Sequence, residues 1–264
     1  MTQSPPPASS ASERLTCLPP PRGQANRLAD KSGYQTPVGR LDSVTSILGK
    51  TGKNKECLEQ WLKRPDAASI SEQAKARGTW LHTQNENWLL AHQTGEPLPD
   101  PKHFAFGGYW RNMRPFLEKH WVQLVAQEQS VYHPTRFAGQ FDCLGYCSYT
   151  QQEDVSEEEA SNMLTLCDWK TSQNFRGHKN GKLKDKNGYR GDLVEDYCFQ
   201  LGAYGEAISY VYGIRPERAL LVIARPHGDF PDIWELTGEE LRDYGRRFIN
   251  RANNYYVSNM EFEP

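Results

Sequence analysis

Two stretches decide the fold: Phe137-Ala138-Gly139-Gln140-Phe141-Asp142-Cys143-Leu144-Gly145-Tyr146 and, after an acidic connection, Met163-Leu164-Thr165-Leu166-Cys167-Asp168-Trp169-Lys170-Thr171. Both read as strands of a hairpin, and side chains alternate faces along a strand, so residues of equal parity share a face. Leu164, Leu166, Asp168 and Lys170 therefore point one way, and Thr165, Cys167 and Trp169 the other. An apolar strand thus ends in a carboxylate and an ammonium on one face, with Asp142 arriving on the neighbouring strand. Two carboxylates and a lysine at a strand end suit metal-dependent attack on a phosphodiester. Hard oxygen ligands hold Mg²⁺ or Mn²⁺, and the lysine can orient or polarise water. An Asp-x-Lys pair is equally at home as a surface ion pair of little consequence. Its surroundings decide.

The chain has 264 residues, enough for one well-buried domain or one domain with a helical elaboration. With 37% hydrophobic and 24% charged residues, its composition is that of a soluble globular protein. The net charge of -2 gives no global basic field, so any nucleic-acid site must rest on local patches. No apolar run approaches the roughly 18 residues of a membrane span. The six cysteines form no Cys-x-x-Cys pair, which argues against a zinc knuckle. Cys143 and Cys147 lie on the parity opposite Asp142 and read as buried, reduced thiols. No heptad suggests a coiled coil, so a monomer is expected.

Residues 1–40, rich in Pro and Ser, show no periodicity and read as a disordered arm. They lack the apolar core of a secretory signal. Arg14, Arg22, Arg27 and Arg40 outnumber the acids there, as in a transit peptide, but the first dozen residues carry no positive side chain; a cytoplasmic protein is expected. Order is expected from Leu41 to residue 264 as one domain, with a helical part over 41–120 and a sheet with flanking helices over 121–264. Ser43 is placed to cap a short helix. Gly49-Lys50-Thr51-Gly52-Lys53 lacks the glycine spacing of a phosphate loop. Glu56 to Leu62 reads as a second helix. A capping box, Ser69 with Glu72, opens a long helix to about His92, with Gly78, His82, Asn85 and Leu89 on one face. His82 by itself reads as a packing histidine. Another helix spans Phe104 to His120.

Trp121 to Tyr132 alternates as a strand, with Glu128 on the parity of Asp142. The acidic run in Gln151–Ala160 reads as a solvated loop. Arg176, Lys179, Lys182, Lys184, Tyr189 and Arg190 fall in a glycine-hinged basic loop after Lys170, a mix that suits phosphate pairing and base stacking or simply a solvated loop. A helix from Asp192 to about Tyr212 places Gln200 and Tyr204 one turn apart, with Gly202 and Gly205 permitting tight packing against the sheet. A strand over Arg218–Arg225, another over Asp232–Thr237 and a closing helix from Gly238 to about Tyr256 complete the chain.

The order Arg77-Gly78-Thr79-Trp80-Leu81-His82, Gly139-x-x-Asp142, Asp168-Trp169-Lys170 and Gln200-Leu201-Gly202-Ala203-Tyr204 resembles the PD-(D/E)XK nuclease superfamily in its RecB-like branch. With Ser43-Val44-Thr45-Ser46-Ile47-Leu48 and Leu58-Glu59-Gln60-Trp61, it is most similar to the group of the mitochondrial genome maintenance exonuclease and its bacterial and phage relatives. The resemblance covers roughly residues 41–225 and has Asp168 where some relatives carry Glu. It implies an α/β, restriction-endonuclease-like core: a central mixed sheet flanked by helices. It also implies a Mg²⁺- or Mn²⁺-dependent exonuclease acting on single-stranded DNA ends in replication, repair or recombination. His82, Asp142, Asp168 and the carbonyl of Trp169 would be metal ligands, Glu128 an outer ligand, Lys170 the residue that positions water, and Gln200 and Tyr204 its supports, also touching DNA. A structure-specific or double-strand endonuclease of the same superfamily and a non-cleaving DNA-binding accessory protein stay open as alternatives.

Overall fold

The chain enters the sheet through three short strands, β1 (Asn26–Arg27), β2 (Tyr34–Thr36) and β3 (Gly39–Ser43), paired antiparallel. The computed structural model describes residues 14–30, 33–52, 60–135, 137–173 and 191–260. For the described residues 14–30 and 33–40, these strands and the contacts ahead of them correct the reading of a disordered arm. Their contacts are tertiary, which local pattern does not reveal. Ala25 and Tyr34 are buried in the core. The Leu15 N–H donates to the Tyr146 hydroxyl at 2.8 Å, and Gln123 Nε2 donates to the Leu15 carbonyl at 2.9 Å. The Arg22 N–H reaches the Val211 carbonyl at 2.8 Å.

Ser43 caps α1 (Val44–Thr51), its Oγ accepting the Ser46 N–H at 3.0 Å. The expected Glu56–Leu62 helix lies largely outside the described residues. The long helix α2 (Ala67–Thr94) begins two residues before Ser69, so the expected capping box is not its start. A turn over Arg64–Ala67 leads into the helix instead, with the Ala67 N–H on the Arg64 carbonyl and the Ile70 N–H on that of Asp66. Gly95 ends it in the left-handed conformation (φ 73°), its N–H returning to Ala91. Then follow α3 (Gly107–His120), β4 (Trp121–His133), β5 (Phe137–Cys147) and α4 (Glu157–Ala160). The last of these, opened by a Ser156–Glu159 capping box, gives the acidic run a turn of helix where a loop was expected. The chain continues through β6 (Leu164–Thr171), α5 (Gly191–Tyr212), β7 (Arg218–Ala224), β8 (Asp232–Thr237) and α6 (Gly238–Met260).

The fold is α/β. Its eight strands run β1-β2-β3-β5-β6-β7-β8, with β4 also paired to β5. The sheet is mixed: β3 with β5 and β6 with β7 are parallel, the other pairs antiparallel. Parity along β6 sorts the core as the sequence implies. Leu164 and Leu166 pack with Leu201 and Ile208 of α5 and Phe248 of α6, while Cys167 and Trp169 pack with Leu81 of α2 and Phe116 of α3. Below the sheet ends, buried Arg218 ties the Cys147, Tyr149 and Ala160 carbonyls to Thr165 and Glu235. Among the described residues no helix is long and apolar enough to cross a membrane.

One irregularity organises the middle. β5 pairs with β6 only from Cys143↔Cys167 to Tyr146↔Leu164, and with β3 only at Phe137 and Ala138. Between these contacts β6 departs to follow β7 alone, so Gly139–Asp142 and Asp168–Thr171 line a fork in the sheet. A helix fills the fork from one side: a Cβ on Gly139 would lie 2.5 Å from Tyr204 Cε1. Gly202 and Gly205 face α6, at Gly245, Tyr244 and Leu241, rather than the sheet as expected. A glycine signals close approach but not to what. Gly139→Ala is predicted to lower stability by about 1–3 kcal/mol through overpacking against Tyr204, read by urea denaturation; an unchanged midpoint would show that the ring is free to move.

Candidate metal centre

At the fork the strands lose ladder bonds, and side chains take them over. Asp142 Oδ2 accepts the Trp169 N–H at 2.7 Å, replacing a backbone partner that β5 no longer supplies. This leaves Asp142 Oδ1 directed at α2, 3.7 Å from His82 Nδ1. The other ring nitrogen, His82 Nε2, lies 2.8 Å from the Trp169 carbonyl oxygen. A backbone acceptor on one imidazole nitrogen fixes the ring and turns the other nitrogen toward the site, as in metal-ligating histidines.

The third member comes from β4. Glu128 falls opposite Asp142, between the Gln127↔Cys143 and Gln129↔Phe141 pairs. Its φ is 51°, the one positive value among the described non-glycine residues. For a side chain with no local hydrogen bond to favour it, such a conformation costs about 1–3 kcal/mol. Gln140 Nε2 donates to the Glu128 carbonyl at 2.9 Å and holds the twist. Glu128 Oε1 is buried without a hydrogen-bond partner among the described residues, 3.8 Å from His82 Nδ1. Donor atoms of His82, Glu128 and Asp142 all lie within 4.8 Å of one another.

Beside this trio sits a second group. Asp168, 1% exposed, is in close contact with the Lys170 ammonium, and its Oδ1 accepts from Gln200 Nε2 at 3.0 Å. Gln200 Nε2 also meets the Tyr204 hydroxyl at 3.3 Å, and the Tyr197 ring lies 5.2 Å from Lys170 Nζ. Burial pushes the Asp168 carboxyl up against the opposing pull of Lys170. Lys170 is held up, against its own burial, by Asp168 and Asp142. Burial also works against the His82 imidazolium, but Asp142 and then Glu128 outweigh it and bring its pKa to about 9. The carboxylates here thus seek positive charge.

The residues singled out in the sequence therefore divide. His82, Glu128 and Asp142 form the donor cluster. Asp168, expected as a ligand, is engaged instead by Lys170 and Gln200, and the Trp169 carbonyl serves His82. Arg176, Lys179, Lys182, Lys184, Tyr189 and Arg190 lie outside the described residues. Three contributors were missed. Glu86, one turn after His82, feels the site: burial pushes its carboxyl up, and Glu128 adds to this. Gln140 and Tyr197 are the others, each readable by position, on the parity of Asp142 and three residues before Gln200.

The donor set fits a hard divalent cation: two carboxylates and an imidazole, an orphaned buried oxygen, and further carboxylates close by. Unbalanced buried charge of this kind is costly without a counter-ion. No family model and no curated protein matches the chain. Among solved structures, the one described as "Crystal structure of SSO0001" aligns over 79% of this chain and 74% of its own, at 13% identity and a TM-score of 0.32. That likeness is too low to carry an argument.

Mn²⁺ or Mg²⁺ at a hundredfold excess over its dissociation constant is predicted to stabilise the protein by about 2.7 kcal/mol relative to EDTA. Glu128→Ala and Asp142→Asn should abolish that gain. Thermal melts check this; an equal shift in either variant would place the ion elsewhere.

Proposed function

We propose that the chain is a metal-dependent deoxyribonuclease of the PD-(D/E)XK superfamily, RecB-like branch, hydrolysing phosphodiester bonds from single-stranded DNA ends. The reading rests on one observation: the His82, Glu128 and Asp142 donors converge at a sheet fork beside buried Asp168 and its ion-pair partner Lys170. His82, Glu128 and Asp142 would hold Mg²⁺ or Mn²⁺. The bound ion would supply Lewis acidity, offsetting charge on the phosphate and on the leaving oxygen.

The chain's own residues do the rest. Lys170, fixed from Asp168 on one side and the Tyr197 ring on the other, presents an ammonium that can donate to an attacking water and to a phosphate oxygen. Gln200 anchors Asp168 and so sets where Lys170 points. Tyr204, whose phenol burial keeps neutral, backs Gln200 as a fixed dipole. His82 is steadied through the Trp169 carbonyl, so the strand bearing Asp168 and Lys170 also orients the imidazole.

Asp168→Ala or Lys170→Ala should cut metal-dependent cleavage by about 10²–10⁴-fold with folding intact. Assays of end-labelled linear and circular single-stranded DNA, with Mg²⁺ or Mn²⁺ and with EDTA, check this. Loss of the linear substrate alone supports an exonuclease. Cutting of the circle points to an endonuclease, and DNA binding without cleavage under either metal contradicts a nuclease. Gln200→Ala should lower turnover by displacing Lys170; unchanged kinetics would return that helix to a packing role.

A further inference from the structure

A cavity of about 370 Å³ opens between α2, the start of α3 and the ends of β6 and β7, lined by Gln73 and Arg77 of α2, Phe106 just before α3, Tyr109 within it, Gln173 after β6, and His227 after β7. No carboxylate lines it. Arg77 is only 8% exposed, and among the described residues no acid pairs with it. Its Nε–H donates to Thr171 Oγ1 at 3.0 Å, and its guanidinium lies 5.1 Å from the Tyr109 ring centroid. A buried guanidinium without a counter-ion is costly, whereas a planar fork of donors suits a phosphate. The hydroxyl and the ring steer it without neutralising it.

Position ties this cavity to the reaction. The Thr171 side chain falls on the Trp169 face of β6, the strand whose Trp169 carbonyl meets His82, and Arg77 lies five residues before His82 on α2, about 7.5 Å along the helix axis. A cation one step along the same helix from the donor cluster stands where a neighbouring phosphate of a bound strand would pass. An aromatic wall accompanies it: Phe106 stacks on His103 (centroids 4.5 Å, interplanar 3°), and both flank Trp80. Such surfaces take nucleobases. Next to Arg77, a Cβ on Gly78 would meet nothing within 4 Å, so packing does not demand this glycine in mid-helix, where it costs stability. The bare flank leaves room for a ligand.

We propose that this cavity is a nucleotide subsite of the nuclease, in which Arg77 binds the phosphate next to the scissile one and the Phe106 ring receives its base. The proposal rests on the nuclease reading, but binding tests it apart from cleavage. Metal-free protein is titrated calorimetrically with thymidine 5′-monophosphate, with thymidine and with inorganic phosphate, using wild type, Arg77→Gln, Gln173→Ala and the catalytic variant Asp168→Ala. The monophosphate should bind wild type and Asp168→Ala alike, and more tightly than either thymidine or phosphate. Arg77→Gln should weaken it on the order of ten- to a hundredfold. Gln173, exposed at the rim, guards against a folding artefact: its alanine variant should weaken binding severalfold with an unchanged melt. Monophosphate affinity equal in wild type, Arg77→Gln and Gln173→Ala, or no binding by wild type, would overturn the subsite. Those outcomes would leave the cleavage assays free to support the nuclease. Conversely, Arg77-dependent binding by a protein that cuts no DNA would refute the nuclease reading and, with it, the place given to this phosphate.

Discussion

The structure turns on the parting of β5 and β6 after the Cys143–Cys167 pair. Inside a sheet, every backbone donor and acceptor is normally spent on the ladder, and side chains stand over apolar layers. Where the strands separate, the Trp169 N–H and carbonyl lose that employment, and Asp142 and His82 take them up. The same separation admits Tyr204 against Gly139 and brings Gln200 to Asp168. Polar groups that could not survive in an intact sheet thus become obligatory in its fork. The site is a consequence of the topology and not an ornament on it.

The arrangement is unfavourable in isolation. Glu128 sits in left-handed backbone with an orphaned oxygen, and Asp168 is taken out of water with Lys170 half-buried against it. Removing such a pair from solvent costs several kcal/mol per ion before their attraction offsets it. Strain and desolvation concentrated at one point mark places where function, not stability, has set the residues. A divalent cation among His82, Glu128 and Asp142, the donors of the proposed centre, would offset much of this imbalance. The cavity at Arg77 has the opposite sign.

Much of this was legible because period-two patterning survives in strands buried on both faces: the parity of β6 separates the two cores as read. Ser43 as a cap, and Cys143 and Cys147 as buried thiols, also hold. The gathering of His82 with Asp142 was legible only through the order of short motifs, since their distance in sequence says nothing of their distance in space. The twist at Glu128 was hidden because glutamate has no preference for positive φ; its strain is imposed by neighbours. The order ahead of β1 was hidden for a similar reason: Leu15 and Arg22 are held by Tyr146, Gln123 and Val211, not by a pattern of their own. Arg77 stood in the motif but drew no role, because a guanidinium's significance lies in the partner it lacks.

The central claim is that the fork holds a hard divalent cation among His82, Glu128 and Asp142. Crystals grown with Mn²⁺ and measured for anomalous scattering at the manganese edge test it directly. The account predicts a strong peak within about 2.0–2.2 Å of His82 Nδ1 and of Glu128 and Asp142 oxygens, the distances of tight first-row or Mg²⁺-like coordination. No peak at the fork, or a peak held by other residues, would contradict it.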